Sequence, residues 1–241
     1  MYRPFAYVLA AASLAACADS GDEGIQIVKN VAPPDDSCSF TSEETEPLIG
    51  AGTVHLFASQ YWLHPQLTSR ISADEGEESQ RTVFTTGARV DIEFPDETLF
   101  SASEQEALRE SGATHFESRF TVPIAPNGGR TDAAFVAIPT AFFDAVRAKF
   151  AGSSNLNAIV ITKSVVYGTL GGGGGEVTSQ PFSFPVTICT DCIVNVVGAC
   201  PLPMGTMVNG GNACNPFQDG VVDCCVTPNQ SVVCPAQVAQ M

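Results

Sequence analysis

The chain contains 241 residues, with 26 acidic side chains against 11 basic ones and a formal net charge of −15. So acidic a composition argues against nucleic-acid binding and against polybasic docking on anionic lipid, because both need clusters of Lys and Arg. It favours solubility and mutual repulsion between copies, and the length allows one large domain or two small ones.

The first 16 residues are typical of a secretory signal peptide. Arg3 supplies a positive charge, residues 5–16 form an apolar run, and Asp19 and Asp22 follow at once. The run is too short to cross a membrane, which needs about 20 apolar residues. We therefore expect residues 1–16 to be removed on export.

The end of this run, Leu14-Ala15-Ala16-Cys17, resembles the lipobox of bacterial lipoproteins: an aliphatic residue, two small residues and a cysteine. The resemblance implies that the Cys17 thiol receives a diacylglyceryl group and that cleavage before Cys17 frees an amine for a further acyl chain. Two or three acyl chains give a stable anchor, whereas one does not. Ala18, rather than Asp, implies sorting to the outer membrane. The alternative is an ordinary signal peptide with a chance cysteine.

The remaining eight cysteines indicate disulfides. An even number of cysteines in an exported chain is typical of a disulfide framework, and many pairings are compatible with the sequence. If Cys17 kept a free thiol, one cysteine would be left unpaired. The predicted disulfide cysteines are Cys38, Cys189, Cys192, Cys200, Cys214, Cys224, Cys225 and Cys234.

Residues 17–49 are predicted to form an acidic tether with one short strand. Apolar and polar residues alternate within 24–30, which indicates a strand, and Pro33-Pro34 ends it. Several acidic side chains could hold a cation, although a run of like charges is more often solvated. They are Asp35, Asp36, Glu43, Glu44 and Glu46.

Residues 50–188 are predicted to form an all-β domain, an immunoglobulin-like or fibronectin-like antiparallel β-sandwich. Five segments alternate apolar and polar residues, as strands with one wet face do, and their spacing favours two packed sheets. The segments lie within residues 53–58, 88–94, 115–124, 157–170 and 180–189. Pro181 and Pro185 predict that the last segment is an edge strand, because proline lacks the N–H that a ladder needs.

One short helix is predicted in this domain. It begins at a Thr140 cap and ends before Gly152. A short helix needs tertiary packing to be stable, so we expect its apolar stripe to pack under the sandwich rather than to serve as a docking face. The stripe consists of Phe142, Phe143, Val146 and Phe150.

Residues 189–241 are predicted to form a Cys-rich C-terminal module that disulfides, rather than a large apolar core, hold together. Cys189 and Cys192 form a C-x-x-C pair. In a thioredoxin-like fold, such a pair is a redox-active dithiol. No βαβ pattern precedes this pair, so a structural role fits better. Cys200 and Cys214 could join the pair on zinc, but a structural zinc site usually has two close pairs.

No catalytic, cofactor-binding or metal-binding residue is predicted. No nucleophile or metal motif accompanies the scattered histidines, which are His55, His64 and His115. The glycine run at 171–175 fits a hairpin loop better than a phosphate loop. Residues 74–78 carry four carboxylates that could bind calcium, without the spacing of an EF-hand. Tyr61-Trp62 could stack on a sugar, but such a pair is more often core.

Four longer segments follow the lipobox in order: IQIVKNVAPPDDSC, GTVHLFASQYWLHP, VVYGTLGGGGGEVTSQPFSFPVTICTDC and GNACNPFQDGVVDCC. Together with the lipobox they resemble bacterial lipoproteins of myxobacterial type, over most of the mature chain. The resemblance implies an envelope location and a β-sandwich with a Cys-rich end. It brings no activity, so no catalytic residue is transferred.

The sequence thus predicts a lipoprotein anchored at the outer membrane of the cell envelope, acting as a structural or binding module without catalysis. Its predicted partners are the membrane, through the N-terminal lipid anchor, and an envelope or extracellular partner that the sequence does not identify. Neither nucleic acid nor a cofactor is expected. Two alternatives stay open: an envelope thiol oxidoreductase that uses Cys189 and Cys192, and a calcium-binding surface module.

Overall fold

The structure, a computed structural model, describes residues 24–32, 38, 47–95, 99–151 and 155–238. The all-β class is confirmed, and so is the concentration of disulfides near the C-terminus. The immunoglobulin-like or fibronectin-like arrangement stays a prediction. The strands are β1 (Ile25–Val31), β2 (Leu48–Ile49), β3 (Gly52–His55), β4 (Tyr61–Leu63), β5 (Pro65–Ser69), β6 (Val83–Glu93), β7 (His115–Arg119), β8 (Pro123–Ile124), β9 (Arg130–Asp132), β10 (Phe135–Ile138), β11 (Asn157–Leu170), β12 (Glu176–Thr178), β13 (Phe182–Cys189), β14 (Val194–Ala199), β15 (Val222–Val226) and β16 (Val232–Val233). The helices are α1 (Glu78–Arg81), α2 (Ala102–Glu110) and α3 (Thr140–Lys149).

In the described part of the chain up to Cys189, three sheets surround one apolar core. The largest has the order β3-β13-β11-β6-β7, with β12 pairing to β11 and β8 pairing to β6. A four-stranded sheet has the order β2-β1-β5-β9, and β10 pairs with β4. The predicted alternation is present: Ala88, Val90 and Ile92 of β6 are buried while Arg89 is exposed. We call residues 24–32 together with the described part of 47–188 the head.

The strand directions are mostly antiparallel, but β3 pairs with β13 in parallel, and β14 pairs with β15 in parallel. The edge-strand prediction for β13 is wrong, because β13 lies between β3 and β11. The reason is the shortness of β3, which pairs only with the segment from Val186 to Cys189. Pro181 and Pro185 lie beyond this segment, so their missing N–H groups interrupt no bond to β3.

The strand predicted near the N-terminus, β1, lies inside the four-stranded sheet between β2 and β5. Its first and last residues, Ile25 and Val31, are buried. Val31 N donates to His64 O at 2.9 Å, and Asn30 Oδ1 accepts from His64 N at 2.7 Å. The first described residues therefore belong to the packed head.

The described residues form three helices, where the sequence analysis predicted one. In α3, Thr140 is the first helical residue rather than the cap, which is Pro139. Phe142 and Phe143 are fully buried, which confirms that the apolar stripe packs inward. The missed helix α2 begins with a capping box of Ser101 and Glu104. This S-x-x-E pattern could have identified α2, but the helix has no buried residue and hence no apolar stripe.

The C-terminal module has its own sheet, β14-β15-β16, and a small core formed by Leu202, Cys225 and Ala236. All eight predicted disulfide cysteines are paired, in a pattern that the sequence did not decide. The bridge between Cys38 and Cys214 spans 176 positions of the chain and joins the N-terminal part to the module. The pairs are Cys38–Cys214, Cys189–Cys192, Cys200–Cys225 and Cys224–Cys234.

Candidate functional site

The module meets the head through the loop at residues 212–220, which lies against β3 and β4. The Gln218 amide pairs with both backbone groups of Trp62: Nε2 donates to Trp62 O at 2.7 Å, and Oε1 accepts from Trp62 N at 2.9 Å. Asn215 Nδ2 donates to Gln60 O at 2.9 Å. Side-chain amides therefore take the place that a further strand would have at this edge.

Asp219 lies at the centre of this contact. Its Oδ1 accepts from Thr53 N at 2.7 Å, and its Oδ2 accepts from the Tyr61 hydroxyl at 2.8 Å and from Gln218 Nε2 at 3.1 Å. Asp219 N donates in return to Thr53 O at 2.8 Å. We call Thr53, Tyr61, Gln218 and Asp219 the junction clamp.

The electrostatics of the junction clamp follow from burial. Burial raises the pKa of the Asp219 carboxyl, although the hydrogen bonds from Thr53, Tyr61 and Gln218 act against this shift. Burial also raises the pKa of Tyr61 well above its ordinary value, and the neighbouring Asp219 carboxylate adds to the effect. Tyr61 is therefore a neutral hydroxyl donor at neutral pH.

The backbone adopts left-handed values at two positions where the module joins the head: Asp219 has φ 54° and Ile193 has φ 50°. Asp tolerates this region, whereas a β-branched residue such as Ile193 is strained there. On the other side of the clamp, a Cβ on Gly52 would overlap the Tyr61 hydroxyl. Glycine at position 52 therefore permits the close approach of β3 to Tyr61.

A cavity of about 350 Å³ opens beside the junction clamp. Ile49, Ala51, Ile193 and Val221 give it apolar walls, and Asp219 is the one ionisable residue among those that line it. A lone carboxylate supplies neither a nucleophile with its base nor an acid–base pair. The arrangement is therefore suited to holding two parts together or to binding.

The C-x-x-C segment, residues 189–192, connects the head to the module, and we call it the elbow. Cys189 ends β13 and is 1% exposed. His55 touches the elbow: its Nδ1 accepts from Phe57 N at 3.0 Å, which places the proton on Nε2, and Nε2 donates to Thr190 O at 2.7 Å. Burial lowers the pKa of His55, and the acceptor role of Nδ1 belongs to the neutral ring. Because both ring nitrogens are occupied, His55 holds no lone pair for a cysteine proton.

Among the residues that the structure describes, the other candidate metal and phosphate sites are not assembled. The four cysteines considered for zinc lie in three different disulfides. In the described part of the chain, no group of three or more His, Cys, Asp or Glu side chains could hold a metal ion. The acidic residues at 35, 36, 43, 44 and 46 lie outside the described residues. In the glycine run, Gly171 N and Gly172 N donate to Thr82 O and Gln80 O, so these groups are not available to a phosphate.

The structure separates the histidines and buries Tyr61 of the aromatic pair, while Trp62 is only partly buried. His64 is buried, and burial lowers its pKa to about 4, whereas His115 lies on the surface with Nδ1 2.7 Å from Asp91 Oδ1. Tyr61 is fully buried, which favours its interpretation as core over a sugar platform. Gln218 and Asp219 were missed by the sequence analysis, because single polar residues in a loop give no periodic signal.

Cys17 and the predicted signal peptide lie outside the described residues. None of the described helices is both long and apolar enough to cross a membrane. Comparisons of the chain with protein-family models, with curated proteins and with solved structures gave no significant match.

Proposed function

We propose that the protein is a lipoprotein of the cell envelope, anchored at the outer membrane through Cys17, that acts as a non-catalytic structural or binding module. The observation that carries the proposal is the pairing of all eight cysteines that follow Cys17. Disulfides at this density persist in oxidising compartments outside the cytosol. The one cysteine that remains is Cys17, the residue to which the lipobox assigns the lipid.

The firm connection between head and module supports a structural or binding role. The junction clamp and the Asn215 bond act at the same contact, and the Cys38–Cys214 disulfide fixes the neighbouring Cys214 of the same loop to the N-terminal part of the chain. A module fixed in this way presents its surface in one orientation, which lowers the entropy that a partner loses on binding.

The elbow supports bracing over redox work. A catalytic C-x-x-C pair places its reactive cysteine at a helix N-terminus, where the thiolate is stabilised and accessible. Here Cys189 ends a strand and is buried, and His55 has no free ring nitrogen. A count of free thiols by mass spectrometry on the purified native protein tests this point. None is expected, and one or two thiols labelled at Cys189 or Cys192 would support the oxidoreductase alternative.

Metabolic labelling tests the anchor. Expressed in a Gram-negative host, the full chain should incorporate palmitate, and globomycin should block its processing. The Cys17→Ser variant should lose the label and the membrane association. The Cys38→Ser variant is the matched control, because it changes a cysteine assigned to a disulfide and should keep the label. A Cys17→Ser protein that stayed on the membrane after a salt wash would refute the anchor.

A further inference from the structure

The start of β1 lies at one end of the head. Gly24 O accepts from Arg70 N at 2.8 Å, and Ile25 forms a bridge with Ser179. A Cβ on Gly24 would overlap Val177, and Val177 pairs with Gly168 near the last residues of β11. The chain therefore enters the fold beside the hairpin that joins β11 to β12.

The exposed loop at residues 73–78 lies at this same end. Asn127 N donates to Ile71 O at 2.8 Å, and the Asn127 side chain exchanges two 3.0 Å hydrogen bonds with the backbone of Ala73. Gly171 of the β11–β12 hairpin donates to Thr82 O at 2.9 Å, just after α1. The loop, the hairpin and the start of β1 thus form one surface, which we call the entry end.

The module is attached at the opposite end of the head. Cys189 pairs with Asn157, the first residue of β11, and Leu56 N donates to Cys189 O at 2.8 Å. The strand β11 rises about 3.3 Å per residue, so Asn157, at the end that carries the module, lies roughly 36 Å from Gly168, at the entry end. The exposed loop between β3 and β4, which contains Ser59, belongs to this module end.

The chain between the proposed lipid and the fold is short. Only residues 18–23 separate Cys17 from Gly24. Seven Cα–Cα steps of at most ~3.6 Å bring Gly24 no further than about 25 Å from Cys17.

We infer that the entry end is the surface that the head turns towards the lipid bilayer, and that the module end is the part held away from it. The inference rests on the proposed function, because it needs the lipid on Cys17. The anchor holds the entry end within reach of the lipid headgroups. The junction clamp, the elbow and the cavity lie at the module end, where a soluble or cell-surface partner has access to them.

Energy transfer to the membrane tests this orientation. An azide-bearing amino acid replaces either Glu75, at the entry end, or Ser59, at the module end, so that the eight paired cysteines are untouched. Each lipidated full-length protein is labelled with the same donor dye. It is then reconstituted into phosphatidylethanolamine–phosphatidylglycerol vesicles that carry an acceptor-labelled lipid. Transfer from position 75 should exceed transfer from position 59 severalfold.

A lengthened tether is the control. A Gly-Ser insertion of about 20 residues after Gly21 raises the greatest distance that the chain can span between Cys17 and Gly24 from about 25 Å to roughly 97 Å, so the difference between the two positions should shrink. Equal or reversed transfer with the natural tether, in protein whose mass shows the lipid, overturns the orientation alone. Protein that carries no lipid at Cys17 overturns the orientation together with the proposed function.

Discussion

Replacement of Asp219 by Ala should loosen the connection between head and module. The change removes both acceptor oxygens, so Thr53 N–H and the fully buried Tyr61 hydroxyl lose their partner. A buried donor without a partner costs about 1–3 kcal/mol, and alanine at the positive φ of this position costs roughly 1 kcal/mol more. Thr53 is only partly buried, so water can take up some of its loss. The sum is about 3 kcal/mol of unfolding free energy.

The Asp219→Asn variant separates the hydrogen bonds from the charge. Asparagine keeps an acceptor for Thr53 N and tolerates a positive φ, so we expect a cost below about 1 kcal/mol. Because burial raises the pKa of Asp219, the folded state holds this proton to a higher pH than the unfolded chain does. The contribution of this proton to the free energy of unfolding is therefore largest below the pKa that Asp219 has in the unfolded chain. It is lost as the pH rises through the pKa that Asp219 has in the folded protein. Wild type should gain stability relative to Asp219→Asn on acidification across that window.

Urea unfolding followed by tryptophan fluorescence measures these changes, because the single tryptophan, Trp62, is bonded to Gln218 in the junction clamp. Asp144→Ala is the control, since Asp144 lies on the surface in one exposed ion pair with Arg147 and should change the unfolding free energy by less than about 0.5 kcal/mol. An Asp219→Ala protein as stable as this control would refute the reasoning that the junction clamp holds the module.

Three further predictions concern other parts of the fold. Burial lowers the pKa of His64 to about 4, so its contribution to stability is present above its unfolded pKa and is lost as the pH falls towards 4. Urea titrations at pH 7 and pH 4.5 should show a loss of about 2 kcal/mol of unfolding free energy, and a smaller loss in His64→Gln. The Cys38–Cys214 bridge closes a loop of 176 positions. Replacing both cysteines by Ala should therefore cost up to about 5 kcal/mol of unfolding free energy, and an unchanged urea midpoint would contradict this. Gly52→Ala should cost about 1–3 kcal/mol, because its Cβ would overlap the Tyr61 hydroxyl, whereas Gly50→Ala has open space and should leave Tm nearly unchanged.

The sequence by itself determined those features that depend on neighbours in the chain. Alternation of apolar and polar residues identified β11 with the bounds that the structure has, and the Phe142–Phe143 stripe identified the buried face of α3. These patterns can be interpreted locally, because one side of a strand or helix faces the core whichever element covers it. The even number of cysteines likewise indicated disulfides without showing their partners.

Only the tertiary structure decided the features that join distant parts of the chain. It paired Cys38 with Cys214, set β13 between β3 and β11 despite two prolines, and brought Asp219 to Thr53 and Tyr61. The physical reason is that a hydrogen bond or a disulfide depends on which groups meet in space. Residues 166 positions apart meet only after every intervening element has packed, and no local period records that outcome.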